Sequence, residues 1–392
     1  MAKITLQTDS EYTRQLMEAG GKNLKECYQC ATCSVACPLA PDAAPYPRKE
    51  MIWASWGLKD KLMSDVDLWL CHNCGNCSDL CPRGARPAAM MSAARDMVYR
   101  DLMAPSIIGK WMSSPRGLPW LFLIPAVIWF VVWWIRAAIM GSWFPRTEDG
   151  KIVFGQIFSG DYTIDPIFML TFFTALAILV RGSMKLWDRF KPKGKTTYIG
   201  PHRNWLLCIW DVLWEEVISA NRFSECADGP KTGQPEQSRR LSHTMIVWSF
   251  CILAFVTAVV ALGHWGGKII PAILIETPMP QTFWVKIIAN VGAVLLLVAL
   301  ALLTWRRLSL NRKYQTSSYY DWYLLGIIWL VALTGMGCQI FRLMDCIHTA
   351  FIVYYLHLVF VWMLFAWVPW TKLGHFVYRA VAMVYVRMYG RG

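Results

Sequence analysis

The sequence predicts a mainly α-helical protein in two parts, a cysteine-rich N-terminal domain over residues 1–105 and a bundle of six membrane-spanning helices over residues 106–392. Three observations support this fold class. Eight of the thirteen cysteines lie in two copies of one short run near the N-terminus. Six apolar stretches of about 20 residues follow, which is the length that a helix needs to cross the hydrocarbon of a bilayer. Lys and Arg are concentrated in alternate connections between these stretches, as in a multi-pass membrane protein.

The N-terminal domain is organised by a repeated pattern, Cys-x2-Cys-x2-Cys-x3-Cys-Pro. This spacing is the ligand pattern of a bacterial-type ferredoxin with two [4Fe–4S] clusters, in which the fourth cysteine of each run ligates the other cluster. We therefore predict an α-helical, ferredoxin-like domain with two cluster sites. Site A comprises Cys27, Cys30, Cys33 and Cys81, and site B comprises Cys71, Cys74, Cys77 and Cys37.

Structural zinc and a disulfide framework are the alternatives for these cysteines. Zinc sites favour paired C-x2-C knuckles separated by a longer loop, whereas here the third and fourth cysteines follow at once. Disulfides belong mainly to secreted proteins, and the first ten residues contain no apolar segment typical of a secretory signal. The pattern favours iron–sulfur clusters in a reducing compartment. We expect His72 to be a neighbour of a cluster and not a ligand, because its run already has four cysteines.

The six apolar stretches are predicted to be membrane spans. Hydrophobic residues make up 56% of the chain and 22 residues are tryptophan, a composition typical of a membrane protein. Tryptophan and tyrosine cluster at the ends of the stretches, for example at Tyr319, Tyr320 and Trp322, as they do at membrane–water interfaces. The predicted spans are 118–140, 166–186, 243–263, 283–304, 321–341 and 350–371.

The distribution of positive charge predicts the orientation of the spans. The segments 95–117, 181–240, 305–320 and 372–392 contain 4, 11, 4 and 4 Lys and Arg residues, whereas 141–165, 264–282 and 342–349 contain 2, 1 and 1. By the positive-inside rule, the N-terminal domain, an insertion over about 187–240 and the C-terminus are cytoplasmic. The net charge of +13 then reflects a membrane face that attracts anionic lipid, and it does not require nucleic acid as a partner. Residues 205–223 of the insertion have the spacing of an amphipathic helix, with an ordinary connector as the alternative.

Histidines in or beside the spans are candidate haem ligands, because an ionisable residue in a membrane segment is costly and facing imidazoles hold b-type haem in helical bundles. His243 and His264 lie at opposite ends of the third span, and we expect His357 and His375 on the last span. The predicted topology puts His243 and His375 toward the cytoplasm and His264 and His357 toward the outside, which fits two stacked haems. The alternative is that the interfacial histidines face only headgroups or water. His348 is a further candidate, either as a ligand or as an acceptor of protons from a quinol.

The sequence resembles a known family in these features. The runs Cys27 to Pro38 and Cys71 to Pro82, followed by spans with paired histidines, look like the C subunit of the quinone-interacting membrane-bound oxidoreductase complex of sulfate-reducing bacteria. That protein is in effect a fusion of the iron–sulfur and cytochrome b subunits of heterodisulfide reductase. The membrane part is also similar to the gamma subunit of respiratory nitrate reductase. The spacing of His357 and His375 matches a haem pair of that gamma subunit, whereas His243 and His264 lie further apart than its other pair.

The resemblance implies a six-helix cytochrome b-type bundle in the bacterial inner membrane that oxidises menaquinol and passes electrons through one or two haems b to the two clusters. It also implies two soluble partner subunits, similar to the flavin- and iron–sulfur-containing flavoprotein of heterodisulfide reductase, which deliver electrons toward adenylylsulfate reductase in dissimilatory sulfate reduction. Two alternatives remain: a heterodisulfide-reductase-type complex with a different soluble acceptor, and a membrane anchor without haem. Disulfide reduction by this chain itself is disfavoured, because the sequence contains no adjacent cysteine pair.

Overall fold

The computed structural model of the protein describes residues 6–40, 45–191, 204–219, 239–275, 278–309 and 319–390. These residues are mainly α-helical, which confirms the predicted fold class. The α-helices within these ranges are α1 Ser10–Leu16, α2 Thr32–Val35, α3 Arg48–Ser55, α4 Lys59–Met63, α5 Asp67–Leu70, α6 Asn76–Asp79, α7 Pro87–Leu102, α8 Ser106–Met112, α9 Leu118–Met140, α10 Asp165–Phe190, α11 Trp205–Val212, α12 Arg239–Gly267, α13 Trp284–Ser309, α14 Tyr319–Leu343, α15 Ile347–Ala366 and α16 Lys372–Tyr389.

The N-terminal domain is built around α7, the longest of its helices. Pro87 is the first residue of α7, where a missing backbone N–H costs nothing and the fixed φ suits the helix. Met90, Ala94 and Val98 recur at helical spacing and are fully buried. The shorter helices α1, α3, α4, α5 and α6 pack against this helix, so the two cysteine runs are held on a common support.

Six helices are long and apolar enough to cross a membrane, namely α9, α10, α12, α13, α14 and α15, which confirms the six predicted spans. The helix α12 packs mainly against α13, and α14 packs mainly against α15. The helix α15 also contacts α9 and α10, so it lies at the centre of a group formed by α9, α10, α14 and α15. Large apolar side chains such as Phe130, Leu170 and Leu262 are exposed, as is normal for helices whose solvent is lipid.

The chain after the last span differs from the prediction. The helix α15 ends at Ala366, a short 3-10 turn over Val368–Trp370 follows, and α16 begins at Lys372 as a separate helix. The expectation that His357 and His375 lie on one helix is therefore wrong, because His375 lies on α16. The physical reason is Pro369, which has no backbone N–H to donate and whose ring crowds the preceding turn, so it favours a break in the helix there.

The helix α16 joins the N-terminal domain to the membrane bundle, because it packs against α5 on one side and α10 on another. The Tyr99 hydroxyl of α7 donates a 2.6 Å hydrogen bond to the Pro369 carbonyl just before α16. The helix α11 in the insertion also packs against α16, where Arg387 pairs with Asp211 and Glu215. The predicted amphipathic helix is thus present from Trp205 and continues to Ile218. Residues 192–203 and 220–238 of the insertion lie outside the described residues.

Candidate iron–sulfur site and its contact with the membrane bundle

Both cysteine runs fold in the same way. The residue before the second cysteine, Gln29 or Asn73, has a positive φ of 61° or 52°. The residue after that cysteine, Ala31 or Gly75, also has a positive φ, of 68° or 91°, and precedes a four-residue helix, α2 or α6. Left-handed residues in such a loop turn backbone N–H groups toward a common point, which makes a concave site for an anion. In the second run, the Asn73 N–H donates to the Cys71 sulfur over 3.4 Å.

Site B is a cavity lined by cysteines of both runs. A small cavity is bordered by Cys37, Cys71, Cys74 and Cys77. Cys37 comes from the first run, yet it lies close enough to Cys71 and Cys74 for the thiolate charges to interact. The structure therefore brings together the four cysteines predicted for site B, and four sulfur donors around one cavity fit a [4Fe–4S] cluster.

Site A lies closer to solvent. Cys33 is within electrostatic range of Cys27 of its own run and of Cys81 of the other. Cys30 is exposed, and its sulfur lies 3.3 Å from the Thr32 hydroxyl. The Ala85 N–H and the Gln29 amide donate to the sulfurs of Cys81 and Cys27, respectively, over 3.4 and 3.3 Å. Hydrogen bonds to ligand sulfurs of this kind tune the reduction potential of a cluster.

Site B lies directly against α16, and Trp69 and Arg95 at this contact were not singled out from the sequence. The Trp69 ring stacks on the His375 ring with centroids 5.3 Å apart. The Arg95 guanidinium joins the second cysteine run to α16. Its Nη2 donates to the Cys71 carbonyl over 3.1 Å, and its Nη1 lies 3.4 Å from the His375 Nε2. A single arginine thus bridges a predicted cluster ligand and a predicted haem ligand.

A second arginine of α16 reaches the same region. The Nη2 of Arg379 lies 3.1 Å from the Nδ1 of His72, the buried residue that follows Cys71 and lines the site B cavity. Burial and the neighbouring charges of Arg95, Lys372 and Arg379 hold the pKa of His375 well below its usual value of 6.5. The His375 imidazole is therefore uncharged at neutral pH and can accept a hydrogen bond from Arg95.

His357 has surroundings that suit an axial haem ligand. Its Nδ1 lies 3.0 Å from the Thr334 hydroxyl on α14. An imidazole held through Nδ1 presents Nε2 to a metal, as in most histidine ligand sites. A Cβ atom on Gly335 would lie 3.0 Å from the His357 ring, so the ring would have to shift by a few tenths of an ångström to admit a side chain there. Neither Thr334 nor Gly335 was singled out from the sequence.

The other candidate histidines are engaged elsewhere or exposed. The Nε2 of His264 lies 2.7 Å from an Asp161 carboxylate oxygen, which Lys268 also contacts at 2.7 Å. His348 is exposed and packs edge-on against Phe144, with ring centroids 4.5 Å apart. His243 lies near the start of α12, whose main neighbour is α13. In the part of the chain that the structure describes, no hydrogen bond or ring contact joins any two of His264, His357 and His375.

Curated relatives match about a quarter of the chain. The C subunit of the H(2):CoB-CoM heterodisulfide,ferredoxin reductase of Methanothermobacter marburgensis is 36% identical over 116 residues, which are 28% of this chain and 62% of that protein. A protein of Archaeoglobus profundus, described as similar to the C subunit of heterodisulfide reductase, is 33% identical over 100 residues, which are 25% of this chain and 53% of that protein. The chain thus spans less than two thirds of the length of these relatives. No solved structure matches the chain.

Two family models match the chain in separate regions. A 4Fe–4S dicluster domain matches residues 23–85, which contain both cysteine runs. Together with the six membrane-spanning helices, this match makes the chain an electron-transfer oxidoreductase component. The family described as citrate utilization protein B matches residues 162–391, which extend from α10 to the C-terminus. Because this match covers more than half of the chain, the protein belongs to the citrate utilization protein B family.

Proposed function

We propose that this protein is the membrane subunit of a respiratory complex, which takes electrons from menaquinol and delivers them to soluble partner subunits. The observation that carries the proposal is the contact between α16 and site B, in which Arg95 touches both His375 and the Cys71 carbonyl. Each [4Fe–4S] cluster supplies a one-electron centre when bound. Site B faces the bundle and site A faces solvent, so we propose that electrons enter on the site B side and leave on the site A side.

The chain's own residues hold this arrangement together. The four cysteines of each site hold the cluster, and the positive-φ residues beside them turn backbone N–H groups toward it. Trp69 and His375 stack at the junction of α5 and α16, where they exclude water. Lys372 pairs with Asp96 over 3.1 Å and fixes the start of α16 against α7. The junction is thereby rigid and dry, which favours electron transfer because little solvent must reorganise.

The surface around site A supports a contact with a soluble partner. Tyr28, Val35 and Leu80 are large apolar side chains that are 68%, 87% and 56% exposed. Exposed Lys25 and Arg83 flank them and would attract an acidic partner surface. The relatives carry the names of heterodisulfide reductase subunits, which supports soluble partner subunits here. We propose two partners similar to the flavin- and iron–sulfur-containing flavoprotein of heterodisulfide reductase, with adenylylsulfate reductase as the eventual acceptor.

For the membrane half we propose haem b, with His357 as its best-supported ligand because Thr334 holds its Nδ1. The assignments of His243, His264 and His375 as ligands stay predictions. To bind a haem through Nε2, His264 and His375 would each have to give up a contact, with Asp161 and with Arg95 respectively. We propose that exposed His348 accepts protons from menaquinol at the outer side of the bacterial inner membrane, and that the N-terminal domain, the insertion and the C-terminus are cytoplasmic.

An anaerobic visible spectrum of the solubilised protein, recorded before and after addition of a menaquinol analogue, tests this function. We expect a reduced b-type band that is lost in His357→Ala with any reductant. In His348→Ala the band should form normally with dithionite but more slowly with the quinol analogue. A band that appears with dithionite but not with quinol would reject menaquinol as the electron donor. No haem band with any reductant would favour the alternative of a membrane anchor without haem, which the contacts of His264 and His375 also allow.

The family match favours a second candidate function. The description citrate utilization protein B suggests a soluble partner that acts in citrate utilization and not in sulfate reduction. Such a partner would feed electrons into site A, and the bundle would then reduce quinone. Rapid reduction of a quinone analogue by the pre-reduced protein, with slow reduction of the clusters by quinol, would favour this candidate.

A further inference from the structure

Two arginines bring positive charge to the bundle side of site B. Arg95 of α7 is buried and donates to the Cys71 carbonyl. Arg379 of α16 lies 3.1 Å from a ring nitrogen of His72, which lines the cavity of site B. Both guanidinium groups therefore adjoin the second cysteine run, one from each side of the junction between the two parts of the molecule.

Arg95 has no carboxylate partner among the residues that the structure describes, and its Nε has no hydrogen-bond acceptor there. Its polar contacts are the Cys71 carbonyl and the His375 ring, and neither carries a charge that would balance the guanidinium. An uncompensated buried charge costs several kcal/mol. The Cys71 carbonyl that accepts from Arg95 belongs to a predicted ligand of site B, so a cluster there would adjoin the guanidinium. A [4Fe–4S] cluster with four thiolate ligands is an anion, and its negative charge increases by one on reduction.

Site A has a different electrostatic environment. Its neighbour Arg83 is exposed, lies over the Tyr28 ring and has Glu26 at 3.9 Å. Solvent and salt screen an exposed charge of this kind, whereas a buried charge acts with little screening. The cation that acts on Cys30 of site A is Arg48, which is half-buried. The two sites thus have similar local backbones, but the charge of buried Arg95 beside site B is screened less than the charges of Arg83 and Arg48 near site A.

We propose that Arg95 and Arg379 raise the reduction potential of the cluster in site B, because their charges stabilise the electron that it accepts. The step adds one electron to the cluster from the bundle side and forms or breaks no bond. Both arginines are positioning residues, since they act on the cluster through the Cys71 peptide and the His72 ring. The proposal rests on the proposed function only for the source of the electron.

A redox titration of the full chain with soluble mediators, followed by electron paramagnetic resonance, tests the proposal. The signal of site B is assigned as the one lost in Cys74→Ser, a ligand of this site whichever way the fourth cysteines cross. We expect Arg95→Gln and Arg379→Gln each to lower the site B potential and the double variant to lower it further. Arg95→Lys should restore part of the shift, because it returns a charge without the forked geometry. The matched control Arg83→Gln should leave site B unchanged.

An unchanged site B potential in both glutamine variants, with full iron content, would overturn the proposal. Equal shifts of both clusters would also overturn it, because they would indicate a general loosening of the domain. If Arg95→Gln does not assemble its clusters, Arg379→Gln and Arg95→Lys still decide the question. Mediators replace quinol in this experiment, so a failure of menaquinol to reduce the wild-type protein would reject the proposed function and leave the role of the arginines intact.

Discussion

The two cysteine runs have nearly the same backbone but opposite surroundings. Each contains two positive-φ residues around its second cysteine and a short helix after them. In the second run His72 is buried to 3% exposure and faces α16, whereas the equivalent Tyr28 of the first run is 68% exposed. The cysteine spacing therefore determines the local loop, and the neighbours of each loop determine its role.

The difference follows from what covers each run. The helix α16 brings Arg379 and His375 to the second run, and α7 brings Arg95. Among the described residues, the outer side of the first run is formed by its own side chains, including Val35 at 87% exposure. A dry, charged environment suits an internal centre, and an apolar exposed surface suits a contact that forms and breaks. The two sites can thus serve as the two ends of one short electron path.

The largest effect is expected from the fourth cysteines, because they cross between the runs. Cys81→Ser should remove the cluster of site A and leave that of site B, and Cys37→Ser should do the reverse. Each serine variant removes one of four thiolate ligands, and iron–sulfur clusters depend on all four. Iron content and the two paramagnetic signals measure the outcome. If Cys81→Ser instead abolishes the cluster that Cys74→Ser abolishes, each run ligates its own cluster.

A smaller effect is expected from weakening the packing of α16 against the N-terminal domain. This change should increase the mobility of the second cysteine run and leave the first run unchanged. A Cβ on Gly374 would lie 2.5 Å from the Tyr99 hydroxyl and 2.7 Å from the Val368 carbonyl. Gly374→Ala should therefore destabilise this junction by about 1–3 kcal/mol, the usual cost of overpacking. Hydrogen exchange should rise at α16 and α5 and stay unchanged at α2.

Gly326→Ala is the matched control for this substitution, because a Cβ there meets nothing within 4 Å. Equal hydrogen exchange in the Gly374→Ala and wild-type proteins would contradict the packing described for the start of α16. Increased exchange at both cysteine runs would mean that the two sites do not respond separately to their surroundings.

The stability of the N-terminal domain should depend on pH through charged residues on and near α3. Lys49 of α3 contacts Asp67, which begins α5, at 2.6 Å, and it contacts Glu50 and Asp65 at 3.4 and 3.3 Å. Burial and the neighbouring Asp65 carboxyl raise the pKa of Glu50 well above its usual 4.5. The folded protein therefore keeps a proton that the unfolded chain releases above pH 4.5, so stability falls as the pH rises from 4.5 toward the raised pKa.

Glu50→Gln should flatten this dependence, because glutamine resembles the protonated acid and does not titrate. We expect its melting temperature at pH 8 to equal or exceed that of the wild-type protein, as measured by loss of cluster absorbance on heating. Both clusters should be affected alike, since α3 supports both runs. A lower melting temperature at pH 8 would mean that Glu50 is ionised and serves as a partner of Lys49.

Much of this architecture is readable from local sequence. The cysteine spacing predicts which side chains meet in sites A and B, since four ligands on short loops leave the chain few other paths. Span length and hydropathy predict the six membrane helices, because a helix in lipid must be apolar over about 20 residues. Pro369 is also a local signal, because a proline favours a break in a helix and so indicates that His375 lies beyond the last span.

The contact between the two parts of the molecule is not local. Arg95 and His375 are separated by 280 residues, and their contact depends on how α7 and α16 pack. Nothing in the residues around Arg95 distinguishes it from a surface arginine of an amphipathic helix. The pairing of His264 with Asp161 is hidden in the same way, since it joins the ends of two spans that are distant in sequence. Sequence patterns therefore reveal candidate ligands better than they reveal the partners of those ligands.

The smallest effect concerns one left-handed position at which the two loops carry different residues. Ala31 and Gly75 are equivalent and both have positive φ. Left-handed backbone costs a residue with a Cβ about 1–2 kcal/mol, and glycine does not bear this cost. Ala31→Gly relieves that strain but makes the unfolded chain more flexible, which offsets about 0.4–1 kcal/mol. The net change for Ala31→Gly should lie between zero and a gain of about 1.6 kcal/mol, and Gly75→Ala should lose a similar amount. Denaturant titration of the two variants, followed through each cluster's absorbance, measures both values. If Ala31→Gly instead lowers the stability by more than the roughly 1 kcal/mol cost of a more flexible unfolded chain, the first loop is not left-handed at this residue. The two runs would then not have equivalent local backbones.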